Sequence, residues 1–175
     1  FDKLIGYDYL FRTMKELYGK EEAERISGEM YNFSLALGDS TNCLIPYCWA
    51  FDASKIVMLG RQFGQLPSKP AKRVSSYIAA LCETVHQMSS HLAGAVSLGT
   101  FFMDVSHLLI YKQRISYDKL MNNAAFRKQL ENEFQQFIHS CNSLSRNGIE
   151  SPFTNVSIFD KEKLSHFIND ENYGW

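Results

Sequence analysis

Apolar positions recur at helical spacing over most of the chain. Leu10, Phe11, Met14, Leu17 and Tyr18 share one face of a predicted helix, and Gly19 closes it. A second amphipathic run through Ala23, Ile26, Met30, Phe33 and Leu37 predicts another helix, ending at Gly38. The pattern then changes. Asn42-Cys43-Leu44-Ile45-Pro46 is a short, nearly continuous apolar run between Gly38-Asp39-Ser40 and a proline, which reads as a buried strand. Asp52 or Ser54 is placed to cap a short helix through Ile56, Val57 and Leu59, and Gly64 to Pro70 reads as a loop. A long helix is expected from Val74 through Ile78, Leu81, Val85, Met88 and Leu92 to Gly94, with another from Phe101 to Tyr111. After a break at Asn122-Asn123, Phe126, Leu130, Phe134, Phe137, Ile138, Cys141 and Leu144 mark a further long helix, ended by Asn147-Gly148. Phe153 to Phe159 reads as a second strand, and Lys161 to Ile168 as a last short helix before a polar tail.

The two predicted strands, near 42–46 and 153–159, are separated mostly by helix, so a parallel crossover is the natural connection. Both read as buried on two faces. A stable sheet usually needs three or more strands. Either extended segments inside the chain complete it, or the other strands lie outside; the second reading is preferred. The chain is expected to be one partial segment over 1–175: a helical lead-in at 1–38, a core at 39–160, and a short helix and tail at 161–175.

Composition narrows the function. The 175 residues are 45% hydrophobic and 21% charged, with a formal net charge of -1, as in an ordinary globular protein. That balance lacks the cationic excess that non-specific binding to a nucleic-acid polymer requires. The longest apolar stretch, Leu98 to Ile110, is interrupted by Asp104 and His107, so no membrane span is expected. The start, Phe1-Asp2-Lys3, has no signal-peptide character, and the missing initiator Met suggests a processed or excised chain, though a segment cut for expression would start the same way. Cys43, Cys48, Cys82 and Cys141 are too sparse for a disulfide scaffold, which implies reduced thiols and a cytoplasmic setting. His86 and His91 are five positions apart and His107 and His139 are isolated, so no metal site is expected. Ser/His/Asp sets, Walker loops and dinucleotide fingerprints are absent.

Three motifs remain: Asn42-Cys43-Leu44-Ile45, Ser90-His91-Leu92-Ala93-Gly94-Ala95, and Asn147-Gly148 running into Ser151-Pro152-Phe153-Thr154-Asn155. Their order and spacing resemble the large subunit of the anaerobic (class III) ribonucleoside-triphosphate reductases, which are glycyl-radical enzymes, from about Phe33 to Asp160. The resemblance implies a helix-rich α/β fold: the first part of a ten-stranded glycyl-radical-type α/β barrel, incomplete on its own. It implies reduction of ribonucleoside triphosphates to deoxyribonucleoside triphosphates. A thiyl radical abstracts the 3′ hydrogen, water leaves from C2′, and a second cysteine helps reduce the intermediate. Cys43 matches that second, redox cysteine and Asn42 the asparagine beside it. Ser151, Thr154 and Asn155 fall in the stretch matching a later strand that lines the nucleotide pocket.

The resemblance further implies dNTP and ATP effectors, a homodimer, and a radical-SAM iron–sulfur activase as partner. Lys69, Lys72 and Arg73, at the start of the long central helix, and Lys112 with Arg114 are candidates for an effector triphosphate, or are simply solvated helix ends. Several family features are missing: the C-terminal Arg-x-Cys-Gly-Tyr radical motif, the loop cysteine, the Cys-x-x-Cys zinc pairs and the ATP-cone. The glycyl radical and the zinc are therefore expected on a complementary chain or segment, and this chain alone is expected to be inactive. On chemistry alone Cys43 also fits a core position, since free cysteine is among the most buried residue types. Asn42 and Asn155 suit either backbone groups or the hydroxyls of a ribose, because amides both donate and accept. A non-catalytic dimerisation or effector-binding module, and an unrelated helical binding domain, are the alternatives.

Overall fold

The computed structural model describes residues 2–36, 46–61, 67–145 and 150–168. The strand expected near 42–46 thus lies, but for Pro46, outside the described residues. The described chain divides into two compact units, 1–47 with 91–93, and 48–90 with 94–175.

In the first unit, helices α1 (Asp2–Tyr18) and α2 (Lys20–Tyr31) pack on each other. Gly19 joins them at φ 88°, a left-handed conformation that glycine adopts without steric cost. Met14 and Ala23 are buried. The second helix stops at Tyr31, short of the Gly38 that the apolar spacing implied. Phe33 takes φ 58°, and the N–H groups of Ser34 and Leu35 both turn back to the Glu29 carbonyl at 2.9 and 3.1 Å. Phe33 continues the apolar period but is 94% exposed, so periodicity here outran the helix.

The second unit holds a parallel sheet in the order β1-β2-β3, formed by Trp49–Ala50, Ala95–Leu98 and Phe153–Val156. Two crossovers build it. β1 leads through α3 (Ser54–Met58) and α4 (Val74–Ser89) into β2. From β2 the chain runs through α5 (Phe101–His107), a π-helical turn (Leu108–Lys112), α6 (Tyr117–Asn122) and α7 (Ala124–Cys141) into β3, with α8 (Lys161–Ile168) following. The cap expected of Asp52 or Ser54 is not formed: Asp52 accepts from the Ser54 N–H and hydroxyl at 3.2 and 2.6 Å, but it stands one position ahead of the α3 cap, Ala53, which has no side-chain cap bond. At the Asn122-Asn123 break, Asn123 caps α7, accepting from the Phe126 N–H at 3.0 Å.

The central strand lies inside the chain, where the spacing showed none, so one strand that completes the sheet is not outside it. Ala95–Leu98 sits between Gly94 and Gly99, and only four residues of alternation are too few to stand out against a helix reaching Gly94. The preceding helix accordingly ends at Ser89. Val96 and Leu98 face the helical layer and are fully buried with Tyr77, Ile78, Leu81 and Val85 of α4. Each such aliphatic side chain contributes about 1.5–3 kcal/mol by burial. Phe101 anchors the layer, stacking on Phe137 at 4.9 Å with Phe134 at 5.9 Å and Tyr77 at 6.1 Å. The strand expected over 153–159 ends at Val156 and is half-buried on one face and exposed on the other, a second correction: Phe153 is 61% exposed and Asn155 is exposed. Among the described residues, helices cover just one side of the sheet.

Candidate functional site

The uncovered face of the sheet follows from register. Side chains alternate along a strand, and paired residues of neighbouring parallel strands point the same way. Ala50, Ser97 and Asn155 are in register, as are Ala95 and Phe153. These five occupy the side opposite buried Val96 and Leu98, and all are exposed or half-buried. The face is therefore a row with two polar side chains and one alanine, beside a row formed by an alanine and a phenylalanine. Neither the Ser97 hydroxyl nor the Asn155 amide forms a side-chain hydrogen bond among the described residues, while the Ser97 carbonyl is held by the Phe51 N–H at 2.9 Å.

Thr154, by contrast, alternates to the helix-facing side, is half-buried and pairs with the Cys141 thiol. Burial pushes the Cys141 thiol up, the Thr154 hydrogen bond opposing it. Burial likewise raises Cys82, which pairs with the Ser140 side chain. Ser151 precedes β3 and is half-buried. Asn42 and Cys43 lie outside the described residues. Cys48 is exposed, and its sulfur accepts from the Ala95 N–H at 3.2 Å across the β1–β2 pair.

The basic candidates Lys69, Lys72, Arg73 and Lys112 are all exposed and form no ion pair among the described residues. One contact ties their segments together: the first N–H of α4, on Val74, donates to the Gln113 side-chain oxygen at 3.0 Å. The side chain of Gln113, next to Lys112, thus takes a position at which an anion would compete for the helix start.

A polar cluster that the spacing analysis treated only as an interruption sits in the core. Asp104 is fully buried and accepts from the Tyr77 and Thr100 hydroxyls, both at 2.8 Å, through one oxygen. The other oxygen has no partner among the described residues. Burial raises the carboxyl to about 7, against the two hydrogen bonds that lower it and with a smaller push from Asp52. The only sequence sign of this cluster was an acid inside an apolar run. Nearby, α5 with its π turn and the segment Ser157–Leu164 enclose a groove of about 620 Å³ whose apolar lining includes Phe102, Ile110, Tyr111, Ile158, Phe159 and Leu164. No group of three His, Cys, Asp or Glu side chains converges as a metal site among the described residues, so none of them fits a zinc centre. No described helix is long and apolar enough to cross a membrane.

Two parallel crossover units, with one face of the sheet uncovered among the described residues, define an α/β segment; all-parallel sheets are normally covered on both sides. The model of the anaerobic ribonucleoside-triphosphate reductases matches residues 12–173, and the chain belongs to that family. Solved structures of the anaerobic ribonucleotide reductase from Thermotoga maritima are similar to it. The one with MES in the active site is 28% identical with a TM-score of 0.72, covering 97% of this chain and 28% of that chain. The complex with dATP and CTP is 29% identical with a TM-score of 0.68, covering 89% of this chain and 26% of that one. The structure with citrate in the active site is 26% identical with a TM-score of 0.69, covering 96% and 30%. This chain therefore spans under a third of the length of the reductases it matches. No curated protein sequence matches it.

Proposed function

We propose that this chain forms the first wall of the catalytic barrel of an anaerobic ribonucleoside-triphosphate reductase, with the open sheet face lining the substrate cavity. The single observation that carries the reading is the in-register row Ala50, Ser97 and Asn155 on a sheet whose opposite face is packed by helices. In a closed barrel one face of every strand looks inward, and a substrate needs small and hydrogen-bonding side chains there. Cys43 supplies the redox thiol beside Asn42, and Asn155 contacts the sugar. The rest of the reductase covers the sheet face and the apolar groove, since exposed apolar patches of that kind ordinarily mark a contact surface. The glycyl radical and thiyl cysteine belong to that remainder, which a radical-SAM activase would activate. At the reduction step the Cys43 S–H bond would break, its hydrogen atom going to the C2′ radical of the dehydrated sugar and leaving a Cys43 thiyl and a 3′ ketone. A two-electron reductant of the formate or dithiol class would return a hydrogen atom to that thiyl and give one electron, with a proton, to the ketone, before the hydrogen first abstracted goes back to C3′.

Anaerobic reconstitution of this chain with the remaining barrel and the activase tests the proposal. Deoxyribonucleoside triphosphate should form and should be abolished by Cys43→Ser. Undiminished product from that variant would overturn the role of Cys43. A second reading, an effector-binding module without catalysis, draws on the Val74–Gln113 bond that links the two basic clusters. Isothermal titration separates the two: dATP binding without ribonucleotide binding in the reconstituted protein favours the module.

A further inference from the structure

Ser97 belongs to no motif that the sequence brought forward, yet it stands next to Asn155 in the sheet. The two are Cα partners on adjacent parallel strands, whose axes lie about 4.8 Å apart. Ala50 on the far side of Ser97 carries only a methyl group, so nothing bulky in that row stands above the hydroxyl. The next row, Ala95 and Phe153, places one small residue and one exposed aromatic ring beside the polar pair. A serine hydroxyl and an asparagine amide each donate and accept, and both hold that capacity unused among the described residues. A partner for this pair must itself offer both donors and acceptors at close spacing, which adjacent hydroxyl groups of a sugar do.

We propose that Ser97 is a substrate-binding residue that, with Asn155, hydrogen-bonds the ribose hydroxyls of the nucleotide. The assignment rests on the reading of the open face as the cavity wall and adds a specificity determinant to it. Ser97 takes no part in hydrogen-atom transfer; it holds the sugar in place for the groups that do.

The test uses the complete activated reductase containing this segment, with effector held at saturation so that its site is filled throughout. Ser97→Ala should raise KM for the ribonucleoside triphosphate about five- to tenfold, the loss of roughly one hydrogen bond, with a smaller change in kcat. Discrimination between the ribonucleotide and its 2′-deoxy or 3′-deoxy analogue, measured as inhibition constants, should shrink by a similar factor for one of the two. Ser97→Thr keeps the hydroxyl and should retain that discrimination. A thermal midpoint unchanged in both variants confirms that folding is not the cause. If Ser97→Ala leaves KM and both ratios at wild-type values in an active enzyme, the assignment of Ser97 is overturned while the barrel reading stands. If the wild-type reductase neither binds nor reduces ribonucleotides, the barrel reading itself fails.

Discussion

Replacing Asp104 with asparagine tests whether a neutral acid is built into the core. The carboxyl is fully buried, with Tyr77 and Thr100 hydroxyls on one oxygen and no partner on the other among the described residues. Its position at about 7, raised from 3.8, means that the folded chain holds a proton the unfolded chain releases. Stability from this group is therefore full below pH 4 and is lost as pH rises through 7. A displacement of about three pH units corresponds to roughly 4 kcal/mol at high pH, of which about 2.5 kcal/mol falls between pH 5 and pH 8. Asp104→Asn keeps the shape and removes the titration. Urea unfolding followed by circular dichroism at pH 5, 6, 7 and 8 should show a smaller stability loss in the variant than in the wild type, by about 2.5 kcal/mol across the range. The variant should also be the more stable protein at pH 8. Parallel pH profiles for the two proteins would refute the reasoning, because they would mean that the carboxyl ionises in the folded core without cost.

Two further outcomes follow from local geometry. Gly60 has φ 79°, and an added Cβ would lie 2.1 Å from the Ser68 backbone oxygen, so Gly60→Ala should destabilise the chain by about 3 kcal/mol or more, read as a lowered thermal midpoint. In the native protein, Cys48 should react with iodoacetamide before Cys82 and Cys141, since it is exposed and burial raises the other two thiols; mass spectrometry of the peptides reports the order, and equal rates would contradict the packing of α4 on α7.

Helix identity was legible because it is a local property. Asn123 caps α7 at the break its polar pair marked, the Val74, Ile78, Leu81, Val85 stripe is buried, and α8 has the bounds its pattern implied. Helix ends were less legible, since Phe33 keeps the apolar period after the backbone has turned left-handed. The shortest strand signals failed altogether: Ala95–Leu98 offers two apolar and two small positions between glycines, and nothing within those four residues names their partners.

The sequence by itself determined the helical layer, its caps and the family, because periodicity, capping chemistry and motif order are written in neighbouring residues. Only the tertiary structure decided which face of the sheet is open, that Ser97 stands beside Asn155, that Thr154 turns toward Cys141, and that Asp104 loses its water. Those facts depend on pairing residues dozens of positions apart in the chain. In a strand a shift of one residue in register exchanges the two faces, so the site exists only once the long-range pairing is made.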